Sequence, residues 1–320
     1  MKRMKRLGRG LEDFSYLFLS SKSTREELRP DGTKDVAYHT KVATIPARTI
    51  CITSDKKVGE RAFLTVNLAL EIANQGKRVL VVDADFSLPR LCMLMGVPSQ
   101  NSILHFIANN GEENIIADGI NGVKLITLDA DLSDLRSLSE SERTSLMRYF
   151  VSAEEEADII LVTTSSAFLH HMRAMLRASS EVIVIAPQQL ADMINAYAVI
   201  KTVFQVNHCA KVGIISSRIL IPDQAEAVFE KVQRIVKKFL DKQICYYGYI
   251  PEDNEISLSM ERRKPLTLTS PDSHTVKCVT EISQSILKVG SNGMGEHSDG
   301  GSRVSFAKRL LHKSAVTGFD

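Results

Sequence analysis

The chain has 320 residues, of which 44% are hydrophobic and 24% charged, with a formal net charge of +2. That is enough apolar material for one large α/β domain with extensions, and the near balance of charge excludes a partner selected by bulk charge alone. No stretch approaches the roughly 20 apolar residues of a membrane-spanning helix, so a cytoplasmic protein is expected.

Residues 1–45 read as a polar, charge-rich arm. Its start, Met1-Lys2-Arg3-Met4-Lys5-Arg6, is as basic as that of a signal peptide, but Glu12 and Asp13 interrupt any apolar core. Leu7, Leu11, Phe14 and Phe18 recur at helical spacing, which predicts a short amphipathic helix. From 46 to 288, short apolar runs alternate with amphipathic stretches. Strands are predicted at 49–54, 78–82, 123–128, 158–163, 181–186, 211–216 and 244–249, with long helices at 140–156, 190–206 and 223–240. Apolar strands separated by helices predict an α/β fold with a doubly wound, mostly parallel sheet of seven or eight strands, covered on both faces. Residues 289–302 have the composition of a flexible linker, and 303–320 form a basic, amphipathic tail. Cys51, Cys92, Cys209, Cys245 and Cys278 occur singly, in no zinc or redox spacing, and are expected to be reduced thiols.

The chemistry of the chain centres on its first two strands. The first runs into Asp55-Lys56-Lys57-Val58-Gly59-Glu60-Arg61-Ala62-Phe63, a helix pattern follows from Leu64 to Asn74, and the second strand ends in Asp83-Ala84-Asp85. This order resembles the opening of a P-loop ATPase. Asp83-Ala84-Asp85-Phe86-Ser87-Leu88-Pro89-Arg90-Leu91 resembles the switch segment of the MinD/ParA class. The stretches Ser180–Pro187, Asp192–Lys201, Tyr247–Asp253 and Arg262–Leu266 are similar to that family's later strand, its following helix and its closing region. Leu138-Ser139-Glu140-Ser141-Glu142-Arg143, ahead of a long helix, is most similar to the flagellar-number regulators of the FlhG/FleN branch. The resemblance covers residues 46–288 and implies the three-layer P-loop NTPase (MinD/ParA-like) architecture.

The family loop reads S-G-K-G-G-V-G-K-T-T. Aligned from Ser54 without a gap, Asp55 replaces the first Gly and Lys56 matches the signature Lys. Lys57, Val58 and Glu60 then fall on glycines, Gly59 on the Val, Arg61 on the P-loop Lys, and Ala62 and Phe63 on the two Thr. Glycines let backbone N–H groups curl around phosphate, Glu60 puts an anion where phosphate belongs, and Ala62 has no hydroxyl for Mg²⁺. Arg61 keeps the charge, but its planar fork is no equivalent of an ammonium. Thr163 stands where the Walker B Asp is expected. These departures imply a pseudo-ATPase with degenerate Walker A and Walker B motifs. Asp83 and Asp85 would then be remnants of the catalytic pair, and Glu60 and Arg61 would fill the phosphate space, as an ion pair. No cofactor is expected, and ATP with Mg²⁺ only if the loop is still competent. His170 and His171 are adjacent, point to different helix faces and do not predict a metal site.

The C-terminal tail carries Phe306, Lys308, Arg309, Leu310 and Leu311 in an F-x-K-R-L pattern similar to the membrane-targeting tail of MinD-type proteins. These residues are candidates for weak contact with anionic lipid at the inner face of the cytoplasmic membrane. The resemblance as a whole implies a non-hydrolysing FlhG-like regulator or scaffold that places or counts a surface machine, flagellum or pilus, through protein partners, with a homodimer as one form. No specific nucleic-acid signal is present. Two readings stand beside it: a divergent but active MinD/ParA-class ATPase in cellular positioning or chromosome partition, and an auxiliary subunit of a polysaccharide-export system.

Overall fold

Each predicted apolar run becomes a strand of one sheet. The computed structural model describes residues 47–55, 58–85, 90–98, 102–109, 114–129, 139–166, 169–292 and 306. The N-terminal arm, residues 293–305 and the tail beyond Phe306 lie outside the described residues. In chain order the elements are β1 (Arg48–Ser54), α1 (Val58–Asn74), β2 (Val79–Ala84), α2 (Arg90–Met95), α3 (Ile103–Ala108), β3 (Ile116–Asp118), β4 (Lys124–Thr127), α4 (Glu140–Glu155), β5 (Ile159–Ser165), α5 (Leu169–Ala178), β6 (Glu181–Pro187), α6 (Leu190–Val206), β7 (Lys211–Ile219), α7 (Asp223–Leu240), β8 (Cys245–Pro251), α8 (Asn254–Arg262), α9 (Leu266–Thr269) and α10 (His274–Asn292).

The sheet has eight strands in the order β3-β4-β2-β5-β1-β6-β7-β8. β3 pairs antiparallel with β4, and every other pair is parallel. At one edge β3 is only three residues long. At the other, the register of β8 against β7 shifts twice. Gly248 there takes φ +132, and a Cβ on it would meet Ile282 Cγ1 at 2.9 Å, so β8 lies close on α10.

Alternate residues of the strands feed two separate cores. Cys51, Val82, Val162 and Val184 face α3 to α7, together with Phe106, Phe150, Leu176, Ile200 and Val232. Ile52, Val81, Leu161 and Ile183 face α1, α2 and α10, together with Phe63, Leu68, Leu94 and Ile282. The parallel strands are therefore apolar on both faces, which is why they read as unbroken runs.

Local signals fix the long helices. Ser139 caps α4 and Glu142 returns the bond, its carboxylate accepting the Ser139 N–H at 2.6 Å, a capping box. Asp223 and Glu226 in the first turn of α7, with Lys237 and Lys238 in its last, complement the helix dipole. Three boundaries differ from the sequence reading. The helix expected from Leu64 already begins at Val58, α10 runs to Asn292 past the expected domain edge at 288, and β3 was not foreseen because three residues carry no periodicity.

Asn67, fully buried on α1, accepts the N–H and the hydroxyl of Thr267 at 2.9 Å each and donates to the Phe63 carbonyl at 2.8 Å. Asn67→Ala strands the Thr267 N–H in a dry core. A loss of about 2–3 kcal/mol is expected, read as a lower urea midpoint.

Candidate functional site

Open parallel sheets gather ligands and partners at the carboxyl ends of their strands, where the direction of winding changes. Here that rim is formed by the ends of β2, β5, β1, β6 and β7. Three charge clusters occupy it.

The first belongs to Arg61, in the opening turns of α1. Its side chain is 1% exposed, it forms an ion pair with Asp85, and its Nη1 donates to Ser54 Oγ at 2.8 Å. The guanidinium thus closes over the ends of β1 and β2. Asp85 donates its N–H to Asp83 Oδ1 at 3.1 Å. Asp83 Oδ2 and the hydroxyl of Thr163, its register partner on β5, are both buried and lack a hydrogen-bond partner among the described residues. Burial pushes the Asp83 carboxyl up to about 7; the nearby Asp85 carboxylate adds to this, while the Asp85 N–H and Arg61 oppose it.

The second cluster belongs to Glu60. It does not pair with Arg61, as the sequence suggested. It takes an ion pair from Arg218 and a hydrogen bond from Ser217 Oγ at 3.1 Å. The two residues point apart because Glu60 and Arg61 are consecutive on a helix and leave it about 100° apart. Arg218 reaches inward from a left-handed backbone, φ +56, at the end of β7, an uncommon conformation for a residue with a side chain. Beside the pair lies a cleft of about 500 Å³ lined by Glu60, Arg90, Arg218, Glu252, Asp253 and Met260, among others.

The third is Asp55. Its Oδ1 accepts from Ser166 Oγ at 3.2 Å and its Oδ2 from Asn195 Nδ2 at 2.8 Å, so the end of β1 is tied to the end of β5 and to α6. Ser166 and Asn195 were not picked out by sequence. They lie 111 and 140 residues from Asp55, and no local pattern marks so distant a bond.

Of the other predicted site residues, Ala62 and Phe63 are core residues of α1, 3% and 0% exposed. Val58 and Gly59 form the helix start, while Lys56 and Lys57 lie outside the described residues. From the tail, Lys308, Arg309, Leu310 and Leu311 are likewise outside them, and Phe306 is buried in the core that faces α4 rather than displayed on a surface. Among the described residues no cluster of three or more His, Cys, Asp or Glu could hold a metal ion, and no helix is long and apolar enough to cross a membrane.

Two measurements check this geometry. Arg61→Ala removes the guanidinium from a buried carboxylate and is expected to cost about 3–5 kcal/mol in urea denaturation, with Arg61→Ala/Asp85→Asn recovering part of the loss. Asp83 binds its proton more tightly folded than unfolded. Its folded group titrates near 7 against an ordinary 3.8, so stability falls as pH rises between these values and levels off above them. In metal-free buffer, Asp83→Asn should therefore gain on the parent between about pH 4 and 7, by on the order of 1–3 kcal/mol.

Known proteins share this fold. Residues 47–214 match the family model described as AAA domain. The chain is 22% identical over 242 residues to the antiactivator FleN of Pseudomonas aeruginosa, covering 75% of this chain and 86% of that protein. It is 26% identical over 267 residues to the flagellum site-determining protein YlxH of Helicobacter pylori, covering 82% and 89%. The structure superposes on septum site-determining protein MinD of Pyrococcus horikoshii, solved with Mg-ADP, at a TM-score of 0.60 with 20% identity, covering 78% of this chain and 100% of that one. The chain belongs to the AAA-domain family and to the MinD/ParA class of P-loop ATPases, with homologues among the FleN/FlhG regulators.

Proposed function

We propose that this protein is a FlhG-like positioning regulator or scaffold for a cell-surface machine, flagellum or pilus, and that it works without hydrolysing ATP. The observation that carries the reading is the buried pair of Arg61 with Asp85, capped by Ser54. In a nucleotide-binding relative, the loop after β1 wraps its backbone N–H groups round phosphate oxygens. Here a protein cation and a protein anion meet at that place.

The remaining residues do not fit a Mg²⁺-nucleotide either. Ala62 brings a methyl group where Mg²⁺ needs a hydroxyl, and Thr163 brings an unpartnered hydroxyl where the metal's water needs a carboxylate. Glu60, held by Arg218 and Ser217, adds negative charge to the entrance. The Walker A and Walker B motifs are degenerate in this reading, and no step is routed through ATP. Protein contacts take its place. Leu190 and Ile194 at the start of α6, and Leu220 and Ile221 after β7, stand 69%, 56%, 72% and 54% exposed on the same rim. Apolar side chains grouped in this way suit a protein partner or a second copy of the chain.

A second reading, a divergent but active ATPase, draws on Asp83, Asp85 and the cleft beside Arg218. Turnover separates the two. The purified protein is expected to release phosphate at background level with and without liposomes; turnover abolished by Asp85→Ala would establish the active enzyme. Millimolar Mg²⁺-ATP is expected to leave the melting temperature within about a degree of its starting value, since a ligand stabilises only as far as it binds. A rise of several degrees contradicts the proposal.

A further inference from the structure

α7 turns its inner stripe, Ala225, Val228, Val232 and Val236, into the core. Its outer flank carries Glu226, Glu230, Arg234 and Lys238, a single row at four-residue spacing, all exposed. None of the four makes an ion pair among the described residues; the pair that α7 does make joins Lys237 to Asp241 at 2.6 Å. The signs along the row are segregated. Glu226 and Glu230 are one turn apart, as are Arg234 and Lys238, and like charges at that spacing repel. The helix dipole favours acids in the first turn and bases in the last, but Glu230 and Arg234 lie in the middle of the 18 residues, beyond its reach.

Beside this row runs a second, Phe229, Gln233 and Lys237, and between the two lies an open groove of about 640 Å³. Phe229, half-buried, lines the groove, and its ring centre lies 5.2 Å from that of Tyr246 on β8. A groove between two rows of side chains is what a row on another helix fills. The charges say which helix. The exposed row reads acid, acid, base, base. Laid antiparallel on a copy of itself, it sets acid against base at every position, while a parallel copy sets acid against acid.

We propose that the protein pairs with a second copy of itself along the outer flank of α7, the two helices antiparallel. About a two-fold axis level with Val232, Glu226 faces the partner's Lys238 and Glu230 faces the partner's Arg234, so each pair occurs twice. Exposed ion pairs are individually weak and screened by salt, and the dimer is therefore one of high concentration and low salt. It uses neither Arg61 nor the exposed apolar residues after β6 and β7, and it does not depend on the absence of ATP turnover.

Sedimentation equilibrium of the full chain, without nucleotide, reads the pairing; reducing buffer keeps the exposed Cys209 from cross-linking. At about 50 mM salt the average mass should rise with protein concentration toward that of two chains, and at about 500 mM it should fall back to one. Glu230→Arg and Arg234→Glu each set like charges against the partner. Each should weaken the dimer at least about tenfold while the melting temperature stays within about two degrees of the parent. Glu230→Arg/Arg234→Glu in one chain swaps the pair and should return the dimer to within about threefold of the parent. Mixed in equal amounts, the two single variants should pair with each other more tightly than either pairs with itself. A chain that stays single at every concentration in low salt overturns the proposal. So does a dimer that survives both single variants, or one that Leu220→Ser/Ile221→Ser abolishes, which puts the contact on the rim. A double variant as weak as the singles overturns the antiparallel arrangement.

Discussion

The guanidinium of Arg61 is shut off from water, and a buried cation must be matched by an anion close by. That requirement organises the rim. Asp85 supplies the anion, and Ser54 takes a further N–H. With one carboxylate committed to Arg61, the other member of the Asp83-Ala84-Asp85 pair is left in a dry place beside a like charge and holds its proton to near neutrality. Glu60 cannot share Arg61 and turns to Arg218, which draws the end of β7 toward α1. The start of α1 and the ends of β2 and β7 are thus held together by charges that the chain carries itself.

Most of the fold was legible because its signals are local. Strands buried on both faces are written as apolar runs, and α4, α6 and α7 begin at or within a residue of their expected starts because acidic first turns and the Ser139–Glu142 box mark them. The three-residue β3 and the early start of α1 have no such mark. At the rim, the sequence marked the unusual side chains of Asp55 to Phe63, but the pairing it suggested differs from the one the structure has. Adjacency along the chain suggested Glu60 with Arg61, whereas helix geometry sends the two in different directions to Arg218 and Asp85, 158 and 24 residues away.

The tail shows a different limit. Phe306 among cations has the pattern of a membrane-facing helix, and the same pattern suits a groove in a protein, because both environments are apolar beside polar. Periodicity reports that one face avoids water and says nothing about what covers it. The N–H of Phe306 is held by Glu154, 152 positions away along the chain.

The two ends of the sheet have a bearing on crowding. A parallel sheet closed by neither a barrel nor a partner leaves unpaired N–H and C=O groups along its outer strands, an invitation to add strands from a neighbouring molecule. Here one border is a three-residue strand running against its neighbours, and the other is a strand whose pairing slips twice and bends at Gly248. Neither offers a long, flat template. Copies of this protein packed side by side at high local concentration would meet through helices and rim loops, contacts that separate again, rather than zip into fibres.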